Sequence, residues 1–82
     1  MANSVEPKVI AIIADRLGVA ADQVTRDTNI ANDLGADSLD LAELMIAFEE
    51  EFDIDIVEED AQHITTVGSV IDHIQAAVDA NG

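Results

Sequence analysis

One side chain in this sequence stands where an attachable hydroxyl would be useful. It is Ser38, within Leu34-Gly35-Ala36-Asp37-Ser38-Leu39-Asp40, at the head of an acidic, amphipathic stretch that runs to Phe52. A serine at a helix start has an ordinary explanation, because serine is favoured near caps. Three details favour a chemical use. Asp37 already supplies a cap, which releases the Ser38 hydroxyl to face outward. Gly35 gives the chain a flexible approach. The unpaired N–H groups and the positive end of the helix dipole favour an anion attached at this point. The carboxylates of Asp37 and Asp40 work against such an anion, and they suit a metal ion or a basic partner better. His63 and His73 fall in no pattern that would activate Ser38, so each reads as a surface or helix-end residue. The chain has no Gly-rich phosphate loop and no His-based metal motif.

The elements that must position this serine can be read from apolar spacing. A first helix is predicted over 4–17, with Ser4 as N-cap and Pro7 in the first turn, where its missing N–H does little harm. Val5, Val9, Ile12, Ile13 and Leu17 share one face, and Gly18 is the stop signal. A long connection follows over 18–37. Val19, Val24, Ile30 and Leu34 recur along it and would pin it to the core, with a short helical turn near Asp22. The second helix begins at Ser38 with Asp37 as N-cap and ends near Phe52. Asp53-Ile54-Asp55-Ile56 reads as an extended connector that buries one or both isoleucines. A short third helix is expected over 58–63. Thr65 or Thr66 then caps a last helix to about Ala80, whose buried face is Val67, Val70, Ile71, Ile74 and Val78. The fold class is therefore all-α, a bundle of three longer helices and one short one with a long first loop.

The second helix has two apolar faces. At 100° per residue, Leu41, Leu44, Met45, Phe48 and Phe52 form the core stripe. Leu39, Ala42 and Ile46 form a smaller patch on roughly the opposite side, bordered by Glu43, Glu49 and Glu50. Apolar contact at the centre with charge at the rim describes an interaction surface. Periodicity alone makes the core stripe a packed core.

Composition narrows the function classes. The chain of 82 residues is one small domain with a thin core. It has no cysteine, so any thioester chemistry needs an attached prosthetic thiol. The net charge is −15, from 18 acids against 3 bases, and no Lys or Arg follows Arg26. Such a surface repels nucleic-acid phosphates and anionic lipid heads and is steered toward basic partners. Self-repulsion predicts that added salt or divalent cations raise the melting temperature. No apolar run approaches a membrane span, and the first residues do not resemble a signal or transit peptide, so a cytoplasmic location is expected.

The ordered set of motifs resembles the acyl carrier protein family, in the stand-alone form that serves bacterial fatty acid synthesis. It comprises Leu17-Gly18-Val19, Asp33 through Asp40, Glu43-Leu44, Phe48-Glu49-Glu50-Glu51-Phe52 and Ile64-Thr65-Thr66-Val67. The resemblance implies a four-helix bundle and a carrier that catalyses nothing itself. Ser38 would hold 4′-phosphopantetheine, loaded from coenzyme A by a phosphopantetheinyl transferase using magnesium. Acyl intermediates would ride on its thiol between fatty acid synthesis enzymes with basic docking patches. Asp37, Leu39, Asp40, Ala42, Glu43, Ile46, Glu49 and Glu50 would form the docking face of a monomer. Leu41, Leu44, Met45, Phe48, Phe52, Ile56 and Ile64 would line an acyl pocket opened between helices. Four features depart from the family pattern. Val57-Glu58 stands where a Pro-acidic pair is expected, Leu41 is bulkier than usual, Ala42 is smaller, and Phe48 replaces an aliphatic residue. They bear on cargo length and partner set, and a housekeeping and a specialised carrier both stay open as readings.

Two other readings compete. The acidic run Asp53, Asp55, Glu58, Glu59 and Asp60 could attract calcium. The EF-hand spacing fails, however, because Val57 takes a ligand position and Glu58 the place of the required glycine. An adaptor could use the Leu39–Ile46 patch alone, leaving Ser38 as a helix-start residue.

Overall fold

A computed structural model describes residues 4–57 and 64–81. Helix α1 spans Glu6–Leu17, α2 spans Ser38–Phe52 and α3 spans Val67–Asn81, with a 3₁₀ turn at Ala21–Gln23. Among the described residues the only β pairing is an isolated antiparallel bridge between Asn29 and Thr66. The short helix expected over 58–63 lies outside the described residues.

Helix α1 begins one residue later than Ser4 would dictate. Val5 occupies the N-cap position, and the Ser4 hydroxyl accepts from the Glu6 N–H at 3.2 Å. The reason is tertiary. Val5 is buried, and its own N–H donates to Gln75 Oε1 of α3 at 3.0 Å. Pro7 falls in the first turn, and Gly18 ends the helix in the left-handed conformation at φ 68°. Val9 and Ile13 of α1 are buried against Leu44 and Phe48 of α2 and Val67, Val70, Ile71 and Ile74 of α3. Burying each such side chain stabilises the fold by about 1.5–3 kcal/mol. Val78, expected on the same face, is half-buried.

The connection over 18–37 is fastened to the start of α3. Val24 and Ile30 are buried, while Val19 and Leu34 pack on the core edge. The Ile30 N–H donates to the Thr65 carbonyl at 3.1 Å. The Val67 and Gly68 N–H groups donate to the Thr28 and Arg26 carbonyls, each at 2.9 Å. A helix leaves its first N–H groups without partners, and here the loop backbone satisfies two of them. The Thr66 hydroxyl accepts a third, from Ser69 N–H at 3.2 Å. Gly68 permits the close approach, since a Cβ there would sit 3.0 Å from the Arg26 carbonyl oxygen. The Arg26 guanidinium reaches Asp72 Oδ1 at 2.8 Å and Glu6 Oε1 at 3.4 Å, joining the loop to α3 and α1. The hydrogen bond and charge of Asp72, helped by Glu6, raise the Arg26 pKa above its ordinary value.

Candidate functional site

The approach to Ser38 is anchored rather than loose. Ala36 is only 6% exposed, and its N–H donates to the Ile30 carbonyl at 3.2 Å. Gly35 has φ 71°, and a Cβ built on it would meet nothing within 4 Å. Its contribution is therefore a fixed left-handed turn, where the sequence suggested flexibility. From Ala36 the chain rises to the surface, and Asp37, Ser38 and Leu39 are all exposed.

Ser38 is the first residue of α2, as the sequence predicts. Asp37 Oδ1 accepts from the Asp40 N–H at 2.9 Å, and Asp40 Oδ2 accepts from the Asp37 N–H at 3.2 Å. This reciprocal capping box gives both carboxylates a structural task that the sequence reading did not assign to Asp40. It leaves the Ser38 hydroxyl with no hydrogen bond among the described residues. The site therefore offers an exposed, unengaged oxygen at the positive end of a helix of 15 residues. A phosphodiester-linked group fits this setting: the oxygen is accessible, and the helix end offsets part of the added negative charge. Among the described residues no group of three or more His, Cys, Asp or Glu side chains is arranged to hold a metal ion.

The outer face of α2 is as two-sided as the spacing predicts. Leu39 is 67% exposed and Ile46 is 55% exposed. Ala42, Glu43 and Glu50 are also exposed. Glu50 additionally borders a cleft of about 330 Å³ with Ile12 and Arg16 of α1. Glu49 is half-buried, and its Oε2 accepts from the Ile56 N–H at 2.9 Å. It holds the connector after α2, a bond over seven positions that no local pattern announces. Val57, at 56% exposed, is a further large apolar side chain on the surface.

The seven residues assigned to an acyl pocket divide into two groups. Leu44, Met45, Phe48 and Ile64 are buried in the core cluster. Leu41, Phe52 and Ile56 are half-buried and pack on its edge. Phe52 also lines a cleft of about 700 Å³ at the C-terminal ends of α2 and α3, together with Ile54 and Val78. His73 lies on α3, half-buried. His63 lies outside the described residues.

Comparison with known proteins gives a consistent result. A family profile described as "Phosphopantetheine attachment site" matches residues 7–74. The chain is 51% identical over 73 residues to the acyl carrier protein of Amoebophilus asiaticus, covering 89% of this chain and 91% of that one. It is 52% identical over 73 residues to that of Porphyromonas gingivalis, covering 89% and 94% respectively. A solved acyl carrier protein from Enterococcus faecalis superposes with a TM-score of 0.78 at 42% identity, over 89% of this chain and 92% of that one.

Proposed function

Since the chain belongs to the acyl carrier protein family, and so is a carrier in fatty acid synthesis and not an enzyme, we propose that its covalent 4′-phosphopantetheine is attached at Ser38. The observation that carries this assignment is the unengaged, exposed Ser38 hydroxyl beside a cap made entirely by Asp37 and Asp40. The prosthetic group supplies the thiol that a chain without cysteine lacks.

The protein's own residues present and protect that attachment. Asp37 and Asp40 fix the start of α2, so the position of the Ser38 oxygen is set by the helix rather than by a loop. Ala36 anchors the preceding segment in the core. We assign the docking face to Asp37, Leu39, Asp40, Ala42, Glu43, Ile46, Glu49 and Glu50. Its exposed leucine and isoleucine would enter an apolar depression on a partner, and its carboxylates would meet a basic rim. The partners are a phosphopantetheinyl transferase and cytoplasmic fatty acid synthesis enzymes, served by a monomeric, single-domain carrier. The acyl chain would enter by displacing the half-buried edge residues Leu41, Phe52 and Ile56 from the buried set Leu44, Met45, Phe48 and Ile64.

Loading assays test the assignment. Incubation with coenzyme A, magnesium and a phosphopantetheinyl transferase should modify the native protein and leave Ser38→Ala unmodified. Ile46→Ala and Glu43→Lys should each reduce kcat/KM for loading while the fold stays intact. Unchanged recognition by every partner tried would remove the docking face from the account.

A further inference from the structure

A second opening lies at the other end of α2. The cleft of about 700 Å³ has a mixed wall, in which Phe52, Ile54, Ala77 and Val78 supply apolar surface and Asp53 and Asp55 supply carboxylates. Its volume is in the range of sites that take a ligand or an anchoring side chain. Both aspartates are exposed, and their carboxylates accept no hydrogen bond and join no ion pair among the described residues. The sequence holds no Lys or Arg beyond Arg26, so the C-terminal half of the chain has no cation of its own to offer them.

We propose that this cleft is a second docking site, for a protein segment that presents an apolar side chain between lysines or arginines. Charge selects the occupant. Anionic lipid heads and nucleic acid are repelled, and a second copy of this chain would bring another −15 against the same aspartates. A cationic amphipathic helix places its leucines in the lining and its bases beside Asp53 and Asp55. The cleft is separated from Ser38 by the length of α2, about 21 Å at about 1.5 Å per residue. A partner seated there leaves Ser38 and Leu39 free, so the attachment site stays accessible while the cleft is occupied.

The test is a nuclear magnetic resonance titration of the full chain with a helical peptide bearing leucines on one face and lysines elsewhere. A peptide with serines replacing the leucines is the control. Saturable shifts are expected at the amides of Phe52, Ile54 and Val78 with the leucine peptide. Binding should weaken about tenfold in Val78→Lys and in the double variant Asp53→Asn, Asp55→Asn; both aspartates are exposed, so the double variant leaves the core untouched and separates lost binding from lost packing. Shifts confined to Leu39–Ile46, equal binding of the serine peptide, or full binding by both variants would overturn the proposal. Sedimentation showing that copies of the chain pair through Val78 would also overturn it. The titration reads the cleft whether or not Ser38 accepts a prosthetic group, so failure here leaves the carrier-site assignment standing.

Discussion

Replacing Asp37 separates the two tasks assigned to it, capping α2 and carrying charge to a partner. In Asp37→Ala the Asp40 N–H loses its acceptor at 2.9 Å. The return bond, from the Asp37 N–H to Asp40 Oδ2, uses backbone that alanine keeps. The expected cost is therefore that of one exposed N-cap, about 1 kcal/mol. For a domain of this size that lowers Tm by about 4–8 °C. Asp37→Asn retains a cap oxygen in the same place and should hold Tm within roughly 2 °C of the parent. Thermal melts followed by far-ultraviolet circular dichroism measure both. Transferase kinetics on the same two variants then read the charge, and Asp37→Asn should load more slowly despite its intact cap. Equal thermal losses in the two variants would mean that charge rather than hydrogen bonding holds the helix start. No loss in Asp37→Ala would refute the capping argument altogether.

Three further outcomes follow from other parts of the fold. Gly68→Val drives side-chain atoms against the Arg26 carbonyl, 3.0 Å from the site of its Cβ, and should cost about 1–3 kcal/mol in denaturant unfolding; an unchanged midpoint would show that the loop does not need this contact. Asp53 holds φ 54° at the C-terminus of α2, where a carboxylate also opposes the helix dipole, so Asp53→Gly should stabilise by about 1 kcal/mol; a lower Tm would contradict that. Asp72 and Glu6 raise the Arg26 pKa, so the stability Arg26 supplies is present below its unfolded value and is lost only at still higher pH. Arg26→Gln should accordingly lower Tm equally at about pH 6 and about pH 9, and a loss seen at only one of them would contradict that assignment.

Much of the site was legible because its signals are local. Asp37 and Ser38 mark the start of α2 within one turn, and the 100° spacing separates Leu39 and Ile46 from Leu44 and Phe48. Gly18 announces the end of α1 by the same kind of short-range rule. What escaped the sequence depends on residues far apart in the chain. Ser4 is a sound cap by type, yet Val5 takes that position because Gln75 satisfies its N–H from α3. The loop carbonyls of Arg26 and Thr28 cap α3 through backbone, which leaves no side-chain signature. Gly68 was the available clue, since a glycine in the first turn of a helix calls for a reason and close approach is a common one. Gly35 is conspicuous in the sequence by its type, but its property is a set turn at φ 71° and not slack, which residue type alone does not reveal. The Glu49 bond to Ile56 was hidden because both residues had plausible tasks of their own.

We assign the prosthetic group to Ser38 and to no other hydroxyl of this chain, and that assignment is open to direct measurement. Its most direct test is mass spectrometry of the protein after loading from coenzyme A, with fragmentation to locate the added group. A single phosphopantetheine is expected on the peptide that contains Asp37-Ser38-Leu39, and none in Ser38→Ala. Addition at Ser4, Ser69 or a threonine, or no addition with several active transferases, would contradict it.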